Sequence, residues 1–271
     1  MKAISGARIV KLFVLADLHL DEITDGGFLA RLGEAIFRVG READVMIVAG
    51  DLAEFAIGKW PSALRWLGTL YPSAKTVIVP GNHDYYGGNI STLDDQLERI
   101  CAEAGCNFGQ CRRIVLGSTQ VLMATLWTDM NLFGANGKDA AADSQLDARN
   151  MMPDYADYAI TVGNPERQLH PNDTIAVHQK HKAWLLSELS RSWAGKTAVV
   201  THHAPSSAAI GEMTPLSPCF ASDLTDEIEK YKPEAWLFGH THKHAELRMA
   251  GVCPSLGLPA ELGSFCRPSG A

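Results

Sequence analysis

Five short apolar runs in this chain each stop at a cluster of aspartate, histidine or asparagine. Lys11 to Leu15 leads to Asp17-Leu18-His19, and Val45 to Ala49 leads to Gly50-Asp51. Thr76 to Val79 leads to Gly81-Asn82-His83-Asp84. Thr197 to Thr201 ends at His202-His203, and Ala235 to Phe238 at Gly239-His240-Thr241-His242. Continuous apolar runs of this length suit strands buried on both faces. Polar clusters at their ends are poor packing material, so the fold must gather them for another purpose.

Helical periodicity separates these runs. Phe28 to Val39 carries Leu29, Leu32, Ile36 and Val39 on one face. Trp60 to Leu70 reads as a helix with Pro61 in its first turn. Ser91 to Ala104 is a third, capped by Ser91 or Thr92. Asp173 to Trp193 is a fourth, capped by Asn172 or Asp173 and striped with Leu185, Leu186, Leu189 and Trp193. Leu224 to Tyr231 is a short fifth, and Ile114 to Leu126 reads as a hairpin turning near Gly117-Ser118. Strand and helix alternation with short connections predicts an α/β layered fold with chemistry at the carboxyl ends of the strands.

The length of 271 residues suits one large domain, here read as residues 1–271 throughout. Within it, 127–172 is rich in Asp, Asn, Gly and Met and is expected to form an insertion or lid over the site. Residues 251–271 are Pro/Gly-rich and read as a loosely structured tail. Net charge is -7, so no extended nucleic-acid surface is advertised. No apolar run is long enough to span a bilayer, which predicts no membrane partner. Six cysteines without a C-x-x-C pair suit reduced thiols in a cytoplasmic protein.

The clusters offer carboxylate, imidazole and amide oxygen but no thiolate. That donor set suits divalent ions such as manganese, iron or zinc. Asp17 and His19, like His240 and His242, are two residues apart. On an extended segment such pairs point to the same side and reach one ion or two neighbouring ions. Glycines before Asp51, Asn82 and His240 allow close backbone approach.

The ordered series D-x-H, G-D, G-N-H-[DE], H and G-H-x-H resembles the calcineurin-like metallophosphoesterase superfamily, and it spans Asp17 to His242. The resemblance implies a four-layer α/β/β/α sandwich with two mixed sheets. It implies two divalent metal ions (Mn, Fe or Zn). Asp17, His19 and His242 would hold one ion, Asn82, His202 and His240 the other, and Asp51 would bridge them. His83 would face the substrate phosphate, oriented by Asp84, both as catalytic residues. The implied activity is metal-dependent hydrolysis of a phosphoester by in-line attack of a metal-bridging hydroxide. His83 is then the candidate general acid for the leaving oxygen.

Within that superfamily, Gly50-Asp51-Leu52-Ala53-Glu54-Phe55-Ala56 lacks the arginine of the protein-phosphatase pattern G-D-x-x-D-R-G. The chain looks more like the bacterial phosphodiesterases and phosphohydrolases. A phosphodiesterase with some phosphomonoesterase activity on a small phosphoester, with nucleotides and cyclic nucleotides among the candidates, is the expectation. A phosphomonoesterase, a protein phosphatase and a non-catalytic binding scaffold are the alternatives. Asn82, His83, Tyr85 and His203 are candidate substrate contacts, with Tyr86 beside them; His203 could instead orient His202. Asp129, Asn131, Arg149, Tyr155 and Arg167 are candidates in the insertion. His178 and His181 are expected to face solvent on one helix, His244 adjoins a motif histidine, and His170 has no assigned partner.

Overall fold

The computed structural model describes residues 9–134 and 138–242. The tail at 251–271 and His244 lie outside the described residues. The chain runs β1 (Leu12–Leu15), α1 (Gly26–Gly40), β2 (Val45–Ala49), α2 (Ala56–Leu70), β3 (Thr76–Val79), α3 (Leu93–Glu103) and β4 (Asn107–Phe108). These four strands form a parallel sheet in the order β1-β2-β3-β4. Every residue of β2 and β3 is buried, which is why both read as unbroken apolar runs rather than alternating ones.

A second sheet follows. β5 (Arg112–Leu116) and β6 (Thr119–Ala124) form an antiparallel hairpin. β6 then pairs in parallel with β9 (Lys196–Thr201), and β9 with β10 (Ala235–Leu237), giving the order β10-β9-β6-β5. Only this sheet is mixed; among the described residues the first is parallel throughout, where two mixed sheets were expected.

Three apolar clusters tie the elements together. Val45, Ile47, Val77 and Val79 of the first sheet meet Val121, Met123, Ala198 and Val200 of the second. The opposite face of the first sheet, with Met46, Val48 and Ile78, packs on Ile36 of α1, Leu64 and Leu67 of α2 and Leu97 of α3. The opposite face of the second, with Leu122, Val199 and Trp236, packs on Leu185 of α5 (Pro171–Leu189) and Ile228 of the short helix Thr225–Tyr231. Each large aliphatic side chain fully removed from water here contributes about 1.5–3 kcal/mol. Facing sheets bring their strand ends to a shared rim.

Between β6 and α5, the described residues include α4 (Lys138–Met151), a 3₁₀ turn at Pro153–Tyr155 and a two-stranded ribbon of β7 (Thr161–Val162) and β8 (Arg167–Gln168). The segment is stitched to the loop after β3: Gly87 N–H donates to Ala159 O at 2.7 Å, and Ile90 N–H to Thr161 O at 2.9 Å. No helix among the described residues is long and apolar enough to cross a membrane.

Two helix starts differ from expectation. α2 begins at Ala56, so Pro61 lies inside it rather than in its first turn. α5 begins at Pro171 because His170, not Asn172 or Asp173, is the cap; Asp173 Oδ2 accepts from the His170 N–H at 2.9 Å to close a capping box. His170 thereby acquires a structural role.

Candidate metal centre

The loops after β1, β2, β3, β9 and β10 carry the polar clusters to one place. Asp17, His19, Asp51 and His242 each offer a ligand atom within 4.8 Å of the others. Asp51, His202 and His240 form a second such group, so Asp51 is common to both. Asn82 adjoins the second, with Oδ1 at 3.0 Å from His202 Nε2. All seven sequence-predicted ligands are thus brought together.

Their backbone is not the extended one expected. Asp17, His19, Asp51, His240 and His242 all have φ between 39° and 65°, in the left-handed region. Such a conformation costs a non-glycine residue of order 1 kcal/mol or more and persists only where its surroundings fix it. Here Asp17 N–H bonds Gly50 O at 3.1 Å and His19 N–H bonds Asp51 O at 3.0 Å, lashing one ligand loop to the next. His240 N–H donates to Asp17 Oδ1 at 2.9 Å, joining the first cluster to the last. Two glycines are required by close approach. A Cβ on Gly81 would lie 2.1 Å from Asp51 Oδ1, and one on Gly50, at φ 94°, would lie 2.1 Å from His202 Nδ1.

The donor chemistry fits cations. His202 Nδ1 faces Ala49 O at 2.9 Å, and a carbonyl only accepts, so that nitrogen carries the hydrogen. In the neutral ring Nε2 then has a lone pair, yet it faces Asn82 Oδ1 and lies 3.3 Å from Asp51 Oδ2. Three acceptors converge. Asp51 Oδ2, both ring nitrogens of His19 and His240 Nε2 are buried without any hydrogen-bond partner. Buried polar atoms are almost always partnered, so orphans on His19, Asp51 and His240, residues that each offer one ligand atom to these groups, suit a bound cation. Without an ion a proton takes that part: burial disfavours charged His202, but Asp51 overrides it and raises its pKa to about 9. Burial likewise opposes ionised Asp51, and His202 and the other histidines hold it well below the usual carboxylate range.

His83 lies at the edge of the centre. Its Nδ1 is 2.7 Å from Glu54 Oε1, its ring meets His19 edge-on with centroids 4.9 Å apart, and it stacks on Tyr86 at 4.7 Å. Burial lowers its pKa, but Asp51 and the bond to Glu54 outweigh this and raise it. Asp84 was the expected orienter of His83, and the structure corrects this. Its buried carboxylate accepts from Gly81 N (2.8 Å), Ala53 N (3.0 Å), Leu52 N (3.3 Å) and Trp60 Nε1 (2.9 Å). Asp84 therefore staples the loop after β3 to the loop after β2, and Glu54 holds His83. Burial and the Asp51 charge push the Asp84 carboxyl up to about 6 despite those donors.

Other expectations shift. Tyr85 does not line the site: it is 1% exposed and its hydroxyl donates to Asp94 Oδ1 at 2.6 Å on α3. Tyr86, its neighbour, is the ring against His83. His203 is buried, 4.2 Å from the His240 ring and stacked on Trp127 at 5.2 Å, with Nδ1 facing Thr125 O. It packs behind His202 and His240, with ring centroids 5.1 and 4.2 Å away. His178 and His181 are 1% and 7% exposed, not solvated. They share the inward stripe of α5 with Thr174, Leu185 and Glu188, and the i, i+3, i+7 spacing of His178, His181 and Leu185 was the missed signal. In the 127–172 segment, Arg167 pairs bidentately with Asp173 and Tyr155 hydrogen-bonds Thr174, so both hold structure. The residue overlooked there is Asp154, which is buried and accepts from Asn82 Nδ2 at 2.7 Å.

The family model for "Calcineurin-like phosphoesterase" matches residues 10–244. The chain belongs to the calcineurin-like phosphoesterase family. An "Uncharacterized metallophosphoesterase" of Helicobacter pylori is 33% identical over 79 residues. That match covers 29% of this chain and 21% of the relative's length. Among solved structures, the phosphopantetheinyl hydrolase PptH of Mycobacterium tuberculosis superposes with a TM-score of 0.67 at 21% identity, covering 98% of this chain and 99% of that one. A dimetal phosphatase from Danio rerio reaches 0.51 at 14% identity, over 90% and 85% of the two chains. These likenesses are of fold.

Proposed function

We propose that this chain is a phosphoesterase using two divalent ions, manganese, iron or zinc, most active on phosphodiesters and active to a lesser degree on monoesters. The supporting observation is the pair of ligand groups sharing Asp51, in each of which the ligand atoms lie within 4.8 Å of one another. Asp17, His19, Asp51 and His242 would hold one ion; Asp51, Asn82, His202 and His240 the other. Ions bound there would supply positive charge for the phosphate and bring a water's pKa toward neutrality.

The chain's own groups do the rest. Glu54 accepts from His83 Nδ1, which leaves Nε2 as the nitrogen that can carry a proton toward the departing oxygen. The Asp51 charge and the bond to Glu54 raise the His83 pKa against burial, which favours the protonated ring. Tyr86 stacked on one face and His19 against the ring fix its plane. Asp84 keeps Glu54 and His83 in register by pinning the backbone of both loops.

A chromogenic phosphodiester and the matching monoester, assayed with manganese and again after chelation, test this reading. Metal-dependent turnover with the diester preferred is expected. Turnover of the monoester alone would make the chain a monoesterase, and no turnover of either with any of the three metals would favour a binding scaffold.

A further inference from the structure

We propose that Asp154, in the segment between β6 and α5, is a positioning residue that fixes which face Asn82 turns to the candidate metal centre. This rests on the two-ion reading above. Asn82 and Asp154 are 72 residues apart in sequence, 1% and 3% exposed, and joined by a 2.7 Å hydrogen bond from Asn82 Nδ2 to Asp154 Oδ1.

The orientation follows from chemistry. An amide has a donor end and an acceptor end, and the two are told apart only by their partners. A carboxylate accepts and does not donate, so the NH₂ of Asn82 must face Asp154. Its Oδ1 is thereby turned to the opposite side, where His202 Nε2 lies at 3.0 Å and Asp51 Oδ2 adjoins that same nitrogen at 3.3 Å. Rotating the amide by half a turn would set two oxygens against each other at Asp154. It would also aim hydrogens, not a lone pair, at the ion.

Asp154 is itself held on a short rigid platform. Pro153 opens the 3₁₀ turn, Ala156 N–H closes it onto Pro153 O at 3.0 Å, and Tyr155 OH bonds Thr174 Oγ1 on α5 at 2.9 Å. Gln168 donates its amide to Tyr155 O. The segment between β6 and α5 thus reaches the candidate metal centre through one carboxylate. Removing an outer partner of a metal ligand lowers affinity about 10–100-fold.

The test is manganese binding followed by calorimetry on the full chain, without substrate. In Asp154→Leu, the tighter and weaker binding events should separate, one weakened about 10–100-fold and the other unchanged. In Asp154→Asn the new side chain can still present an oxygen to Asn82, so affinity should stay within about 3-fold of the parent, below the range expected when an outer partner is lost. In an Asn82→Ala background, Asp154→Leu should cost nothing more. Two unchanged ions in Asp154→Leu would overturn the proposal while leaving the two-ion reading intact. A parent chain that binds no manganese would instead overturn that reading. Should Asp154→Leu fail to fold, an Asp154→Asn chain that folds yet loses as much affinity as Asn82→Ala would overturn it equally.

Discussion

Glu54 Oε1 sits 2.7 Å from His83 Nδ1, three residues after the aspartate that both ligand groups share. The spacing sets two contacts on one loop: Asp51 joins the ligand clusters, and Glu54 turns toward His83, the proposed proton donor. This pairing makes the leaving-group side of the reaction separable from the metal side.

Replacing His83 by alanine should therefore slow turnover of esters with alkoxide leaving groups by about 10²–10⁴-fold, the usual range for a lost general acid. Esters of good phenolate leaving groups should lose far less, and metal content should stay. Glu54→Gln, which keeps an acceptor but removes the charge, should show the same trend in milder form. Kinetics across a leaving-group series read this; equal losses at both ends would remove the proton-donor role.

Asp84 accepts four hydrogen bonds in a buried setting, so its loss leaves several donors unsatisfied. Asp84→Ala should destabilise the chain by about 3 kcal/mol or more, since each stranded buried group costs about 1–3 kcal/mol. Urea unfolding measures it. A loss under about 1 kcal/mol, no more than one ordinary hydrogen bond is worth, would show that the staple between the loops is dispensable.

Acid should expose the buried histidines of α5. Burial, with the nearby His178 and Lys180, lowers the His181 pKa to about 3, against about 6.5 when unfolded. The unfolded chain therefore binds a proton that the folded chain refuses, and stability falls as pH drops from about 6.5 toward 3. At about 1.4 kcal/mol per unit, the loss from this residue by pH 5 is about 2 kcal/mol. His181→Leu should lose that much less between pH 7.5 and pH 5 than the parent. Identical losses in the two chains would contradict the assignment.

Much of this centre was legible in the sequence, and the reason is physical. Val45 to Ala49 and Thr76 to Val79 are buried on both faces, so they read as strands without tertiary information, and their ends had to carry Asp51 and Asn82. What was not legible depends on conformation or on distant partners. Left-handed backbone at Asp17 and His242 was not legible, because aspartate and histidine tolerate that region better than most residues but do not require it. Asp154 lies 72 residues from Asn82, in a segment without clean periodicity. Tyr85 and Tyr86 are adjacent and alike; only the path of the turn decides that the first enters the core and the second meets His83. His178 and His181 were misplaced because polar residues on a helix are ordinarily solvated, and here α5 is covered along that stripe.

The most direct test of the shared aspartate is elemental analysis of manganese-loaded chains, parent beside Asp51→Ala and His242→Ala, each checked for folding by circular dichroism. The account predicts two ions per parent chain, one retained in His242→Ala, and neither held in Asp51→Ala, since Asp51 is the one ligand common to both groups. An Asp51→Ala chain that folds and keeps both ions would contradict it.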